Sequence, residues 1–368
     1  MKVEHIILTH VRIPLVEPFR ISNGEVREKD GIIVRVQAEG VVGTGEASPM
    51  SGSFYSDDTP ESVWLVLTER LIPAVFAARA GSVAEVNSVL AGLGGSPFAR
   101  AGLETAFWDL EARAAGKPLY ELLGGQNVPI ESGLAVGIYP DLGALIAAIE
   151  KHLAEGYTRV KIKIQPGWDI GPLTEIRRRF GDFPLMVDAN CAYKQEDIAH
   201  LTSLDGFDLM MIEQPLARND LEGHARLQEQ LRTPVCLDES AEDLAAVTRA
   251  IRLKSCRIVN IKIQRVGGLV SAKAVHDCCA AAAIPVWAGT MPELGIGGVQ
   301  TLHLATLRNF RFPTDVESSA RWFVDDIVEP PIAVSEGRIT IPAGIGNCFA
   351  LSARAMERYR VVERVFHA

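Results

Sequence analysis

Five residues at nearly equal spacing carry most of the chemistry legible in this chain. Lys163, Asp188, Glu213, Asp238 and Lys262 stand 25, 25, 25 and 24 positions apart. Each closes a short apolar run: Val160-Lys161-Ile162-Lys163, Leu185-Met186-Val187-Asp188, Met210-Met211-Ile212-Glu213, Val235-Cys236-Leu237-Asp238 and Val259-Asn260-Ile261-Lys262. A helical stretch follows each run. Strands alternating with helices imply a parallel sheet covered on its faces. A doubly wound sheet and a barrel both satisfy this pattern. The constant period, continued by Pro285-Val286-Trp287-Ala288, favours the barrel. Parallel barrel strands end on one rim, and active sites are built there.

Three carboxylates on consecutive strands, roughly 5 Å apart, would repel one another. A bare cluster of that kind is costly or partly protonated. A hard divalent cation resolves the conflict. Asp188, Glu213 and Asp238, with water and substrate oxygens, suit octahedral Mg²⁺ better than zinc, which usually recruits His or Cys. Lys161 and Lys163 alternate with Val160 and Ile162, so both lysines point to one strand face. The apolar neighbours belong against the helices, which puts the lysines inside. A lysine beside another cation is expected to have a lowered pKa and to act as a base near neutral pH. A solitary strand-end Asp usually caps the next helix, and a solitary Lys is usually a rim charge. Five such residues in this order at constant spacing are poorly explained that way.

The elements around this rim are also readable. Val3 to Leu15, Gly31 to Ala38 and Val41 to Glu46 read as an antiparallel meander. Glu17 to Asp30 is expected to be a long polar loop, and Ser48 to Asp58 a second, Gly/Ser-rich one; long loops are often functional. Ala99, Leu103, Ala106, Phe107, Leu110 and Ala114 mark one face of a helix that Gly116-Lys117-Pro118 stops. Gly124-Gly125 is the candidate domain boundary. The first barrel strand is expected near Glu131 to Ile138 and the last near Thr314 to Glu317. Arg338 to Pro342 reads as a short strand outside the barrel.

Composition excludes several classes. With 368 residues, 48% hydrophobic and 23% charged, the chain is an ordinary globular protein rather than a disordered one. The net charge of −9 gives none of the basic excess of a nucleic-acid binder. A membrane span needs roughly 20 apolar residues. Cys278 to Gly289 is too short and holds Pro285, so no membrane role is expected. The opening Met1-Lys2-Val3-Glu4-His5 has no signal-peptide pattern. Six cysteines without CxxC spacing read as free thiols in a reducing cytoplasm. Dinucleotide, P-loop, HExxH and GxSxG motifs are absent. His152, His200, His224, His276 and His303 read as surface or satisfied buried residues, and Trp64, Phe107 and Trp108 as core.

At Lys161-Ile-Lys163, Val187-Asp188-Ala-Asn190, Ile212-Glu213-Gln-Pro215, Leu237-Asp238-Glu239-Ser240 and Asn260-Ile-Lys262 the chain resembles the enolase superfamily, muconate-lactonizing-enzyme subgroup. The resemblance covers nearly the whole chain. It implies an α/β fold, a modified (β/α)₇β TIM-type barrel over residues 126–325. An α+β capping domain would come from residues 1–125, with 326–368 returning to it. Pro18-Phe19-Arg20, Gly45-Glu46, Ala106-Phe107-Trp108-Asp109, Pro166-Gly167-Trp168-Asp169 and Arg265-Val266-Gly267-Gly268 resemble the o-succinylbenzoate synthase/N-acylamino acid racemase family more closely.

By that resemblance Asp188, Glu213 and Asp238 hold Mg²⁺, with Mn²⁺ able to substitute. Lys163 and Lys262 stand on opposite faces of a small carboxylate substrate, and Lys161 completes the catalytic set. Phe19, Ser22, Ser51, Tyr55, Arg265, Thr290 and Met291 are the implied substrate-binding residues. The implied reaction removes a proton α to a carboxylate through an enediolate. It is either the syn dehydration that forms o-succinylbenzoate in menaquinone biosynthesis or the racemisation of N-acylamino acids. Thr290, Pro292, Leu294 and Gly298 depart from the family pattern at the barrel mouth, where substrate preference is set. Muconate cycloisomerase and dipeptide epimerase are alternatives within the subgroup; the Asp-x-Asp of the epimerases is not found in Trp287 to Leu294. A catalytically silent barrel that only binds a ligand is the alternative outside enzymes. The family also implies a homo-oligomer.

Overall fold

The computed structural model describes residues 1–21, 24–51 and 56–368. The chain opens with three antiparallel strands, β1 (Val3–Ile21), β2 (Gly24–Ala38) and β3 (Val41–Ala47). The strand Arg360–His367 pairs with the outer edge of β1, giving a four-stranded sheet. Alternation buries Ile6, Leu8, Ile32, Val34 and Val36 against Leu103, Ala106, Phe107 and Leu110 of the helix Pro97–Ala114. That helix lies very close to β3. A Cβ on Gly43 would sit 2.2 Å from the Ala106 carbonyl oxygen, and one on Gly45 would sit 2.3 Å from that of Gly102. Only glycine permits the contact.

Glu17 to Asp30 is not the expected loop. β1 runs on to Ile21 and β2 begins at Gly24, forming an extended arm in which Phe19 pairs with Val26. The register shifts between Pro14 and Phe19. The two prolines in Pro14-Leu-Val-Glu-Pro18 and the solvent exposure of the arm remove the alternation that marks a half-buried strand.

Seven parallel strands follow in sequence order: β4 (Leu134–Val136), β5 (Val160–Lys163), β6 (Leu185–Asp188), β7 (Ile212–Glu213), β8 (Val235–Leu237), β9 (Ile258–Ile261) and β10 (Val286–Ala288). Their apolar residues pack outward against the intervening helices. Asp141, Asp169, Asp220 and Asp243 each cap a helix start with a side-chain carboxylate. The segment 309–317 closes the ring. Arg311 N donates to Val286 O at 2.9 Å and Asp315 N to Ala288 O at 3.1 Å, while Gly133 N donates to Thr314 O at 2.8 Å. Seven strand–helix units and a closing strand make a modified (β/α)₇β barrel. The first strand is shorter than expected because Ile130–Glu131 leaves the ring to pair with Arg338–Ile339. Among the described residues, no helix is long and apolar enough to cross a membrane.

The helix Gly295–Ala305 packs Ile296, Val299 and Leu302 under Val11, Ile13 and Ile33 of the sheet. His303 on this helix is fully buried. Its Nδ1 accepts from Tyr120 N at 3.1 Å and its Nε2 donates to Asn347 O at 3.0 Å. These partners fit only the neutral ring. Burial lowers its pKa from 6.5 to about 4. The unfolded chain therefore binds the extra proton first as pH falls. Stability is expected to drop by about 3 kcal/mol between pH 6.5 and 4 through this residue. Urea midpoints across that range should lose this component in His303→Gln, which can make both hydrogen bonds. An unchanged acid slope in the variant would refute the assignment.

Candidate active site

The barrel register sets the charged residues side by side. Lys163 lies opposite Asp188, and Asp188 opposite Glu213, across β5, β6 and β7. Asp238 and Lys262 directly follow β8 and β9. The chain turns sharply on leaving β6 and β7: Asn190, Cys191 and Gln214 all have φ between 40° and 64°. Gln214 ties these turns to each other and to the end of β8: its O accepts from Cys191 N at 2.9 Å, and its Oε1 from Asp238 N at 2.9 Å and Ser240 N at 3.1 Å. Such strained positions persist only when the surroundings over-determine them.

Each carboxylate has a cation against it. Lys163 Nζ is 2.6 Å from Asp188 Oδ2 and donates to Asn190 Oδ1 at 2.8 Å. Lys262 Nζ is 2.9 Å from Asp238 Oδ2, and Arg265 bonds the other oxygen of Asp238. Lys161 bonds Asp315 on the closing strand and stands 3.4 Å from Glu213 Oε2 and 3.8 Å from Asp188 Oδ2. Its ammonium lies 4.8 Å from the centre of the Trp287 ring. Buried Arg159 holds the second oxygen of Asp315 at 2.9 Å.

Burial, Asp188 and Asp238 together raise the pKa of Glu213, as expected for crowded carboxylates. Burial would raise Asp238 too, but Arg265 and Lys262 outweigh it and hold Asp238 well below its ordinary value. Lys161 departs from the expectation of a lowered lysine pKa. Burial acts in that direction, yet Asp315, Glu213 and Asp188 overcome it and raise the pKa. These carboxylates favour the charged form of Lys161.

Lys161, Lys163 and Lys262 line one cavity of ≈ 40 Å³. Phe19, Thr290 and Met291 are in its wall. Met50, Ala135, Pro292, Asp315 and Trp322 complete that wall, with Phe19 and Trp322 meeting edge to face at 4.8 Å. Arg265 is not in this wall. It lines a neighbouring cleft of ≈ 430 Å³ that shares Met291, because its side chain is taken up by Asp238. Ser51 is half-buried and lines neither space. Ser22 and Tyr55 lie outside the described residues.

Residues 144–355 match the enolase C-terminal domain-like family, and residues 3–124 match the mandelate racemase/muconate lactonizing enzyme N-terminal domain. The chain belongs to the enolase superfamily. An o-succinylbenzoate synthase from Geobacillus kaustophilus is 43% identical over 100% of this chain and 98% of its own length. An N-succinylamino acid racemase from Amycolatopsis is 41% identical over 94% of both chains. The crystal structure of an enolase-superfamily member from Listeria innocua superposes with a TM-score of 0.95 at 34% identity, covering 100% of this chain and 99% of its own.

Enzymes of the enolase superfamily are metal-dependent. Among the described residues, no three carboxylate, histidine or cysteine groups meet as a finished metal cage; the oxygens turn to the lysines and Arg265 instead. The donor set nevertheless fits a hard cation. Glu213 Oε2 is buried and accepts no hydrogen bond, whereas Oε1 accepts from Asn260 at 2.7 Å. Oxygen-only ligands of this kind suit Mg²⁺ or Mn²⁺ better than zinc.

This enolase-superfamily site also contains residues that the sequence reading passed over. Asp315 lies in the closing segment, inside the range Thr314 to Glu317 expected for the last strand, so its place there was the available signal. Arg159, Met50 and Trp322 gave no such signal; they arrive from a strand start, a loop and a short helix.

Proposed function

We propose that this enzyme removes a proton α to a carboxylate through an enediolate, and that it is an o-succinylbenzoate synthase, an N-succinylamino acid racemase, or both. One observation carries the reading. Lys163 and Lys262, from the second and sixth strands of an eight-stranded ring, line the same cavity beside three carboxylates. Strands four apart face each other across a barrel, so the two amines approach a substrate carbon from opposite sides. The full-length relatives named as synthase and as racemase support the same choice.

Asp188, Glu213 and Asp238 would hold the metal, with Mg²⁺ or Mn²⁺ supplying positive charge to the substrate carboxylate as the enediolate forms. Lys161 stays protonated and adds a fixed cation at the same end of the cavity. Lys163 accepts the α-proton. In dehydration the resulting Lys163 ammonium returns that proton to the departing hydroxide, and Lys262 remains an ammonium on the other face. In racemisation Lys262 gives a proton to the opposite face. Reversing the two roles converts the other enantiomer. The substrate-binding residues of this reading are Phe19, Thr290 and Met291 in the cavity wall and Arg265 behind Asp238. We also divide the chain into capping segments 1–125 and 326–368 around the 126–325 barrel. The free thiols of all six cysteines suit a cytoplasmic enzyme.

The test supplies the cyclohexadiene precursor of o-succinylbenzoate and an N-succinylamino acid together, with Mg²⁺ in D₂O. Proton NMR follows both. Fast aromatic product with slow loss of the α-proton identifies a synthase, and fast α-proton exchange identifies a racemase. Neither signal would refute both assignments.

A further inference from the structure

The backbone that carries Met50 into the cavity wall leaves the sheet at Ala47, and residues 48–50 have no strand partner. Its polar groups are satisfied by side chains from two separate elements. Lys29 of β2, 1% exposed, donates from Nζ to Ser48 O and Pro49 O, both at 2.9 Å. Gln264, two residues after Lys262, accepts from Ser48 N at 3.0 Å and donates to Glu46 O at 2.8 Å. We propose that Lys29 and Gln264 are positioning residues for the substrate cavity: from the sheet and from the barrel they grip residues 46–49 and fix where Met50 stands.

The same cluster reaches the opposite wall. Glu46 accepts from Leu294 N at 2.8 Å and Gly297 N at 2.7 Å, and Glu293 accepts from Met291 N at 3.1 Å. The chain just beyond Thr290–Pro292 is therefore tied, at Leu294 and Gly297, to Glu46, whose carbonyl Gln264 also holds. Glu46, Glu293 and Asp30 face Lys29; burial still lowers the ammonium to about 8, so it remains charged at neutral pH. A buried charge is a poor way to stabilise a fold. Here it supplies two donors to carbonyls that have no ladder partner.

Lys29→Met and Gln264→Leu test this. Hydrogen exchange at residues 48–51 should quicken about tenfold or more in each, with exchange in the barrel strands unchanged. The KM for the N-succinylamino acid or the cyclohexadiene should rise about tenfold while kcat stays within about threefold, because ground-state binding is what moves. A merely structural role would lower the melting temperature and leave local exchange and KM as in the parent; that result overturns the proposal. If Lys29→Met does not fold, Gln264→Leu decides. The kinetic arm rests on the proposed function, but the exchange arm does not. A parent enzyme inactive on both substrates would sink that function and leave exchange to decide the clamp.

Discussion

Lys163→Ala and Lys262→Ala will each reduce turnover by about 10³-fold or more while leaving the fold intact. The size follows from the absence of a substitute proton carrier. Lys161 shares the cavity, but Asp315, Glu213 and Asp188 raise its pKa, which disfavours it as acceptor of the α-proton. Cys236 cannot serve either: it is buried, and burial raises its thiol pKa far above its ordinary value. The two variants should differ in one respect. Lys262→Ala retains Lys163, so one enantiomer of the N-succinylamino acid will still take deuterium at the α-carbon without inverting. Lys163→Ala should show the same behaviour with the other enantiomer. Proton NMR with separate enantiomers, beside circular dichroism of each variant, reads this directly. Normal turnover in both variants would end the two-lysine mechanism.

Asp238→Asn will weaken Mg²⁺ binding by more than the 10–100-fold typical of losing an outer-shell partner, roughly two orders of magnitude or beyond. Asp238 is the carboxylate with the most assured negative charge, since Arg265 and Lys262 both hold its pKa down. The amide removes that charge and leaves two cations facing each other. Mg²⁺ at 100 times its Kd should stabilise the parent enzyme by about 2.7 kcal/mol, seen as a higher melting temperature. At the same concentration the variant should show almost no shift. Equal shifts in the two proteins would remove Asp238 from the metal shell.

The barrel was legible because its signal repeats: one strand-end residue every 24 or 25 positions shows both the period and the rim. The carboxylates and lysines came with it, since strand polarity alone brings their Cα atoms together. What each charged group does there was less legible. Lys161 was read as a neighbour of cations, whereas Asp315, more than 150 residues further on, decides its charge. The cavity wall was half-legible. Phe19, Thr290 and Met291 came from family motifs, but Met50 and Trp322 depend on loop paths that no periodicity records. The arm of β1 and β2 was misread because prolines and solvent exposure erase the alternation by which a strand is recognised.

The strand Arg360–His367 meets β1 across a sequence separation of 354 residues, measured at the Thr9–Glu363 hydrogen bond. During synthesis the outer edge of β1 emerges some 354 residues ahead of the strand that covers it. Throughout that interval β1 is an open template for another chain. Closing so large a loop is slow, so sheet completion is a late event in folding. Removing this strand would expose the nascent chain to edge-to-edge aggregation while leaving every residue of the reaction cavity in place.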